Sequence, residues 1–99
     1  MAIRVREGSG NVFADLGFER TEATHLQLRS TLMIALSKLI TARHLTQAGA
    51  ARMFHVSQPR ISDLVRGKID RFSIDTLIAM LGCAGVRVTI SLKGLTKVA

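Results

Sequence analysis

The stretch LTQAGAARMFHVSQPRISDLVRGK, residues 45–68, allows few folds. It holds two helix starts and a helix stop in close succession. Thr46 stands where a hydroxyl accepts from the free amides of a first helical turn. Ser57 stands in the same place for a second helix, and Pro59 follows in the first turn, where a missing N–H costs nothing. Gly67 supplies the left-handed residue that ends that helix. Two short helices, over 46–54 and from 57 to about 66, therefore meet through a tight turn at His55 and Val56. Ala50, Ala51 and Phe54 share one face of the earlier helix. Ile61, Leu64 and Val65 are expected to face inward from the later one. Ala51 is small enough for the two helices to cross closely. Gly49 is an anomaly, because glycine inside a helix costs about 1 kcal/mol relative to alanine.

The flanks extend this pattern. Residues 22–43 hold neither Gly nor Pro. On a helical wheel Leu28, Leu32, Met33, Leu36, Leu39 and Ile40 form one stripe, with Ile34 off it as a possible second contact. A further helix follows the capping Ser73, with Ile74, Leu77, Ile78 and Leu81 at helical spacing and Gly85 closing it. Val86, Val88, Ile90 and Leu92 then alternate with polar residues across 86–92, which is the period of a strand. A strand must pair. Residues 2–6, where Ile3 and Val5 alternate with arginines, are one candidate partner; the same strand of a second copy across a two-fold axis is the preferred one. Gly8-Ser9-Gly10 reads as a joint, and Val12, Phe13, Leu16 and Phe18 form an apolar cluster that needs a docking place. The expected organisation is an arm over 1–21, a helical domain over 22–85 and a dimerisation strand and tail over 86–99.

Length and charge narrow the function. A chain of 99 residues suits one domain, burying roughly two-thirds of its unfolded surface. With no Trp or Tyr and only four Phe, the core is expected to be aliphatic. The net charge of +7 is uneven. Residues 1–22 are slightly acidic, with Glu7, Asp15, Glu19 and Glu22 against three arginines; the remainder carries the positive excess. A small basic body suits a polyanionic partner. The lone Cys83 excludes an internal disulfide and is expected to be a small buried hydrophobe. His25, His44 and His55 fit no zinc spacing. No nucleophilic triad, phosphate-cradling glycine loop or acidic pair is present, so neither an enzyme nor a cofactor or metal is expected. The apolar runs are too short to span a bilayer, and MAIRVRE has no signal-peptide core, which implies a cytoplasmic protein. Basic amphipathic membrane binding is disfavoured because the core needs the apolar stripe of the first helix. RNA binding is disfavoured because no exposed aromatic pattern exists to stack bases.

Residues 45–68 closely resemble the helix-turn-helix of the Cro/CI repressor-like (XRE) family, with SQPRISDLVRGK similar to its recognition helix and exit. The resemblance covers 22–85. It implies a mainly α, lambda-repressor-like bundle of four to five helices with one C-terminal strand, and a homodimer on double-stranded DNA. His55 departs from the family, which usually has Gly there. The longer pattern, GSGNVFADLGF before the helices and VRVTI after them, is similar to the HigA-like antitoxins. That implies a transcriptional regulator and, as an alternative role, neutralisation of a small HigB-like mRNA-cleaving toxin through residues 1–20.

Residue chemistry then gives the candidate interface. Gln58 can pair bidentately with adenine, and Arg60 has the reach for guanine or a phosphate. Pro59 can pack on a thymine methyl. Ser62 and Asp63 lie one turn on, within reach of base edges. Thr46, Gln47 and Ser57 lie at helix starts, where amides and the helix dipole favour phosphate. Arg66, Lys68 and Arg71 follow the recognition helix as phosphate contacts. Arg43 and Arg52 are weaker candidates of the same kind.

Overall fold

The computed structural model describes residues 2–6 and 20–91. The elements are β1 (Ala2–Arg6), α1 (Arg20–Ala42), α2 (Gln47–Phe54), α3 (Gln58–Val65), a single 3-10 turn (Ile69–Arg71), α4 (Ile74–Cys83) and β2 (Arg87–Ser91). This is a mainly helical helix-turn-helix bundle, as expected. The joint at 8–10, the apolar cluster at 12–18 and Leu92 lie outside the described residues.

The core is the space enclosed by the four helices. Leu32, Leu36, Leu39 and Ile40 of α1 meet Ala50, Ala51 and Phe54 of α2, Ile61 and Leu64 of α3, and Leu77, Met80 and Leu81 of α4. Each fully buried aliphatic side chain contributes about 1.5–3 kcal/mol. The core is not purely aliphatic: Phe54 and Phe72 are both only 2% exposed. Phe72 lies between two short elements, where no periodicity marks it. Two other expectations are corrected. Val65 is 46% exposed rather than inward, because Ile61 and Leu64 already fill the inner face of so short a helix. Cys83 is exposed, at the last residue of α4. Ile34 is 53% exposed. With Met33, Leu64, Val65 and Ile69 it lines a concavity of about 730 Å³ between α1 and the end of α3.

Every α-helix ends in a left-handed residue: His44 (φ 53°), His55 (φ 56°), Gly67 (φ 72°) and Gly85 (φ 77°). At each end the next amide reaches back six residues' span to a carbonyl of the last turn, as in Leu45 to Ile40 (3.0 Å), Val56 to Ala51 (3.1 Å), Lys68 to Asp63 (3.0 Å) and Val86 to Leu81 (3.0 Å). These are Schellman closures, and they satisfy carbonyls that a helix end otherwise orphans. Thus the strained turn expected at His55 is present, and His44 repeats it.

The strand expectation changes. β2 pairs parallel with β1 of the same chain, Ile3 opposite Val88 and Val5 opposite Ile90. The preference for a second copy yields here to the match of two alternating patterns in register. A parallel pair needs a crossover, and the helical domain between the strands supplies it. The arm therefore begins inside the fold. The far edge of β2 is unpaired among the described residues. Val86 is buried just before β2, Val88 packs against the core, and Ile90 is 45% exposed.

Candidate nucleic-acid interface

The two helices of the motif start differently. At α2 the Thr46 hydroxyl accepts from the Gly49 amide at 3.0 Å. A Cβ at position 49 would stand 3.3 Å from that hydroxyl, a tight contact, and 3.8 Å from the Leu45 side chain, an ordinary one. At α3, Ser57 has the extended cap backbone (ψ 157°), but its hydroxyl makes no capping bond. The sequence expectation of a hydroxyl cap fails for a plain reason. Pro59 has no amide to donate, and the Arg60 and Ile61 amides turn to the Ser57 carbonyl, at 3.1 and 3.3 Å. The Ser57 hydroxyl is left at an exposed helix tip.

Six residues singled out from sequence converge. Gln47 of α2 and Gln58, Pro59, Ser62, Asp63 and Arg66 on the outer side of α3 and its end line one open concavity of about 580 Å³. Gln58, Ser62 and Arg66 recur every four residues and so share one face. The face carries amide, hydroxyl, carboxylate and guanidinium groups, a mixed donor and acceptor set with no metal-binding cluster. The larger concavity beside Ile34 is mostly apolar, with Ser30, Ser37, Lys38 and Thr41 as its polar side chains and no carboxylate or side-chain amide. Among the described residues, no group of three or more His, Cys, Asp or Glu is placed to hold a metal ion, and no helix is long and apolar enough to cross a membrane.

The sequence of the chain from residue 12 to residue 93 matches the family described as the helix-turn-helix domain. The chain belongs to the helix-turn-helix domain family. No curated protein matches it. The helix-turn-helix is the α2–α3 pair, and DNA binding is the activity that this family assignment supports.

Not every candidate contact lies on the shared face. Arg60 leaves α3 on another side: its Nη1 donates to the Arg71 carbonyl at 2.7 Å, and its guanidinium carbon sits 5.5 Å from the centre of the Phe72 ring. Arg71 lies 3.9 Å from the Asp63 carboxylate. Lys68 is half-buried where the chain leaves α3, and Thr46 is exposed. Arg43 is engaged structurally, donating to the Ala84 carbonyl at 3.2 Å and to the Met53 sulfur at 3.5 Å. Arg52 is exposed. Sequence reasoning missed Arg29, whose Nη1 donates to the Ile69 carbonyl at 3.3 Å, and it missed Phe72. Neither carries a sequence signal, since each acts across a long chain separation.

Proposed function

We propose that this helix-turn-helix protein is a transcriptional repressor that reads an inverted-repeat operator in double-stranded DNA as a homodimer. One observation carries the reading: Gln47, Gln58, Pro59, Ser62, Asp63 and Arg66 line one concavity at the outer side of α3. An α-helix fits the major groove, where each base pair shows a distinct donor and acceptor pattern. Gln58 pairs with adenine, Pro59 packs on a thymine methyl, and Ser62 and Asp63 discriminate one turn on. Gln47, Thr46, Ser57, Arg66, Lys68 and Arg71 hold the backbone. The edge of β2 that is unpaired among the described residues and the exposed Ile90 support self-association through this strand.

Selection from a random DNA pool tests the proposal. The expected product is an inverted repeat with half-site centres about 34 Å apart, bound with an affinity that falls steeply with salt. Gln58→Ala relaxes preference at one base pair, a loss of about 1–3 kcal/mol there, whereas Lys68→Ala weakens all sequences alike. Selection of no consensus overturns the proposal.

A second role, antitoxin against a small toxin protein, is favoured by the similarity of residues 8–18 to HigA-like proteins. Because β1 belongs to the fold, the test is substitution of Val12, Phe13, Leu16 and Phe18 rather than deletion of the arm. A toxin that still copurifies with that variant removes the proposed contact.

A further inference from the structure

The turn that carries Lys68 and Arg71 is held from two sides. Arg29 of α1 donates to the Ile69 carbonyl at 3.3 Å. Arg60 of α3 donates to the Arg71 carbonyl at 2.7 Å and lies over the Phe72 ring. Phe72 itself is buried. Within the turn, the Arg71 amide donates to the Lys68 carbonyl at 3.1 Å and the Phe72 amide to the Ile69 carbonyl at 3.3 Å. Asp63 lies beside the Arg71 guanidinium.

Both Arg60 partners are uncharged, a carbonyl and an aromatic ring. The position therefore uses what distinguishes arginine from lysine: a planar fork that donates along its edge and stacks on its face. We infer that Arg60 is a positioning residue rather than a base reader, bracing the Ile69–Arg71 turn so that Lys68 and Arg71 are already placed for the DNA backbone. The inference rests on the DNA-binding reading above. Its physical content is preorganisation: cations on a fixed turn lose less freedom on binding than cations on a loose one.

The experiment compares the wild type, Arg60→Ala, Arg60→Lys, Arg71→Ala and the Arg60→Ala/Arg71→Ala double variant on the selected operator and its single-base variants. Arg60→Ala is expected to weaken binding about tenfold on every sequence alike, with strongly non-additive effects in the double variant. Arg60→Lys keeps the charge and is expected to fall with Arg60→Ala. The slope of log affinity against log salt should become shallower by about one to two, which a simple loss of fold stability does not produce. In the DNA-free protein, hydrogen exchange at the Arg71 and Phe72 amides should rise in Arg60→Ala. Relaxed preference at a single base pair, wild-type behaviour of Arg60→Lys, or additive effects overturns the inference. If the amides respond but the wild type selects no DNA sequence, the bracing stands and the DNA-binding reading fails. If the wild type selects an operator and the amides do not respond, the bracing alone fails.

Discussion

α2 and α3 are the same length, eight residues each, and both start from a hydroxyl residue in extended conformation and end in a left-handed one. They differ in where their polar groups go. Thr46 turns its hydroxyl inward to close the first turn of α2. Around α3 the proline removes a donor, the Ser57 carbonyl takes the next amides, and the serine hydroxyl stays outside. α2 uses its cap hydroxyl to close its own first turn; α3 leaves its cap hydroxyl exposed and without a capping bond. Unused hydrogen-bonding capacity at an exposed tip is what a base or phosphate contact requires.

The apolar sides of the two helices are alike, and the largest expected effects lie there. Phe54 anchors α2 and Ile61 anchors α3, both almost fully buried. Each change to alanine is expected to destabilise by about 3 kcal/mol or more, through lost transfer energy and the cavity left behind. Urea denaturation followed by circular dichroism measures both. A much smaller loss for Ile61→Ala would show that α3 is held less firmly than α2, and the symmetry of anchoring would be lost.

The caps separate the helices at a smaller scale. Thr46→Ala removes a capping bond and is expected to cost about 1 kcal/mol of stability. Ser57→Ala removes none and is expected to cost no more than a few tenths of that. On DNA affinity, measured by anisotropy of a labelled operator, the serine change is expected to matter. Equal stability losses would place the Ser57 hydroxyl back in a cap and erase the contrast.

The same contrast explains what the sequence made legible. Helix positions followed from apolar spacing and from the residues that cap them, because those signals act within a turn or two of chain. What escaped lies across the chain. The seating of Phe72 and the grip of Arg29 and Arg60 on the Ile69–Arg71 turn join residues that only the finished fold brings together, and the choice of residues 2–6, one of two candidate partners for β2, was likewise settled only there. Ser57 misled because the cap residue was read without the donor that Pro59 deletes. Val65 misled because an eight-residue helix with Ile61 and Leu64 inward has its inner face already occupied.

The smallest effects lie at the helix ends. α2 stops at His55 and α3 at Gly67, both left-handed. A β-carbon in that conformation costs about 1–2 kcal/mol, partly offset because glycine loses more freedom on folding, by about 0.5–1 kcal/mol. A Cβ at position 67 would meet no atom within 4 Å, so Gly67→Ala isolates the backbone term and is expected to destabilise by up to about 1 kcal/mol. His55→Gly runs the same change backward and is expected to stabilise by the same order or less, read as a rise in the urea midpoint at unchanged slope. If His55→Gly instead destabilises, the imidazole contributes more than its conformation costs, and the two helix ends are built on different physics despite their shared dihedral angles.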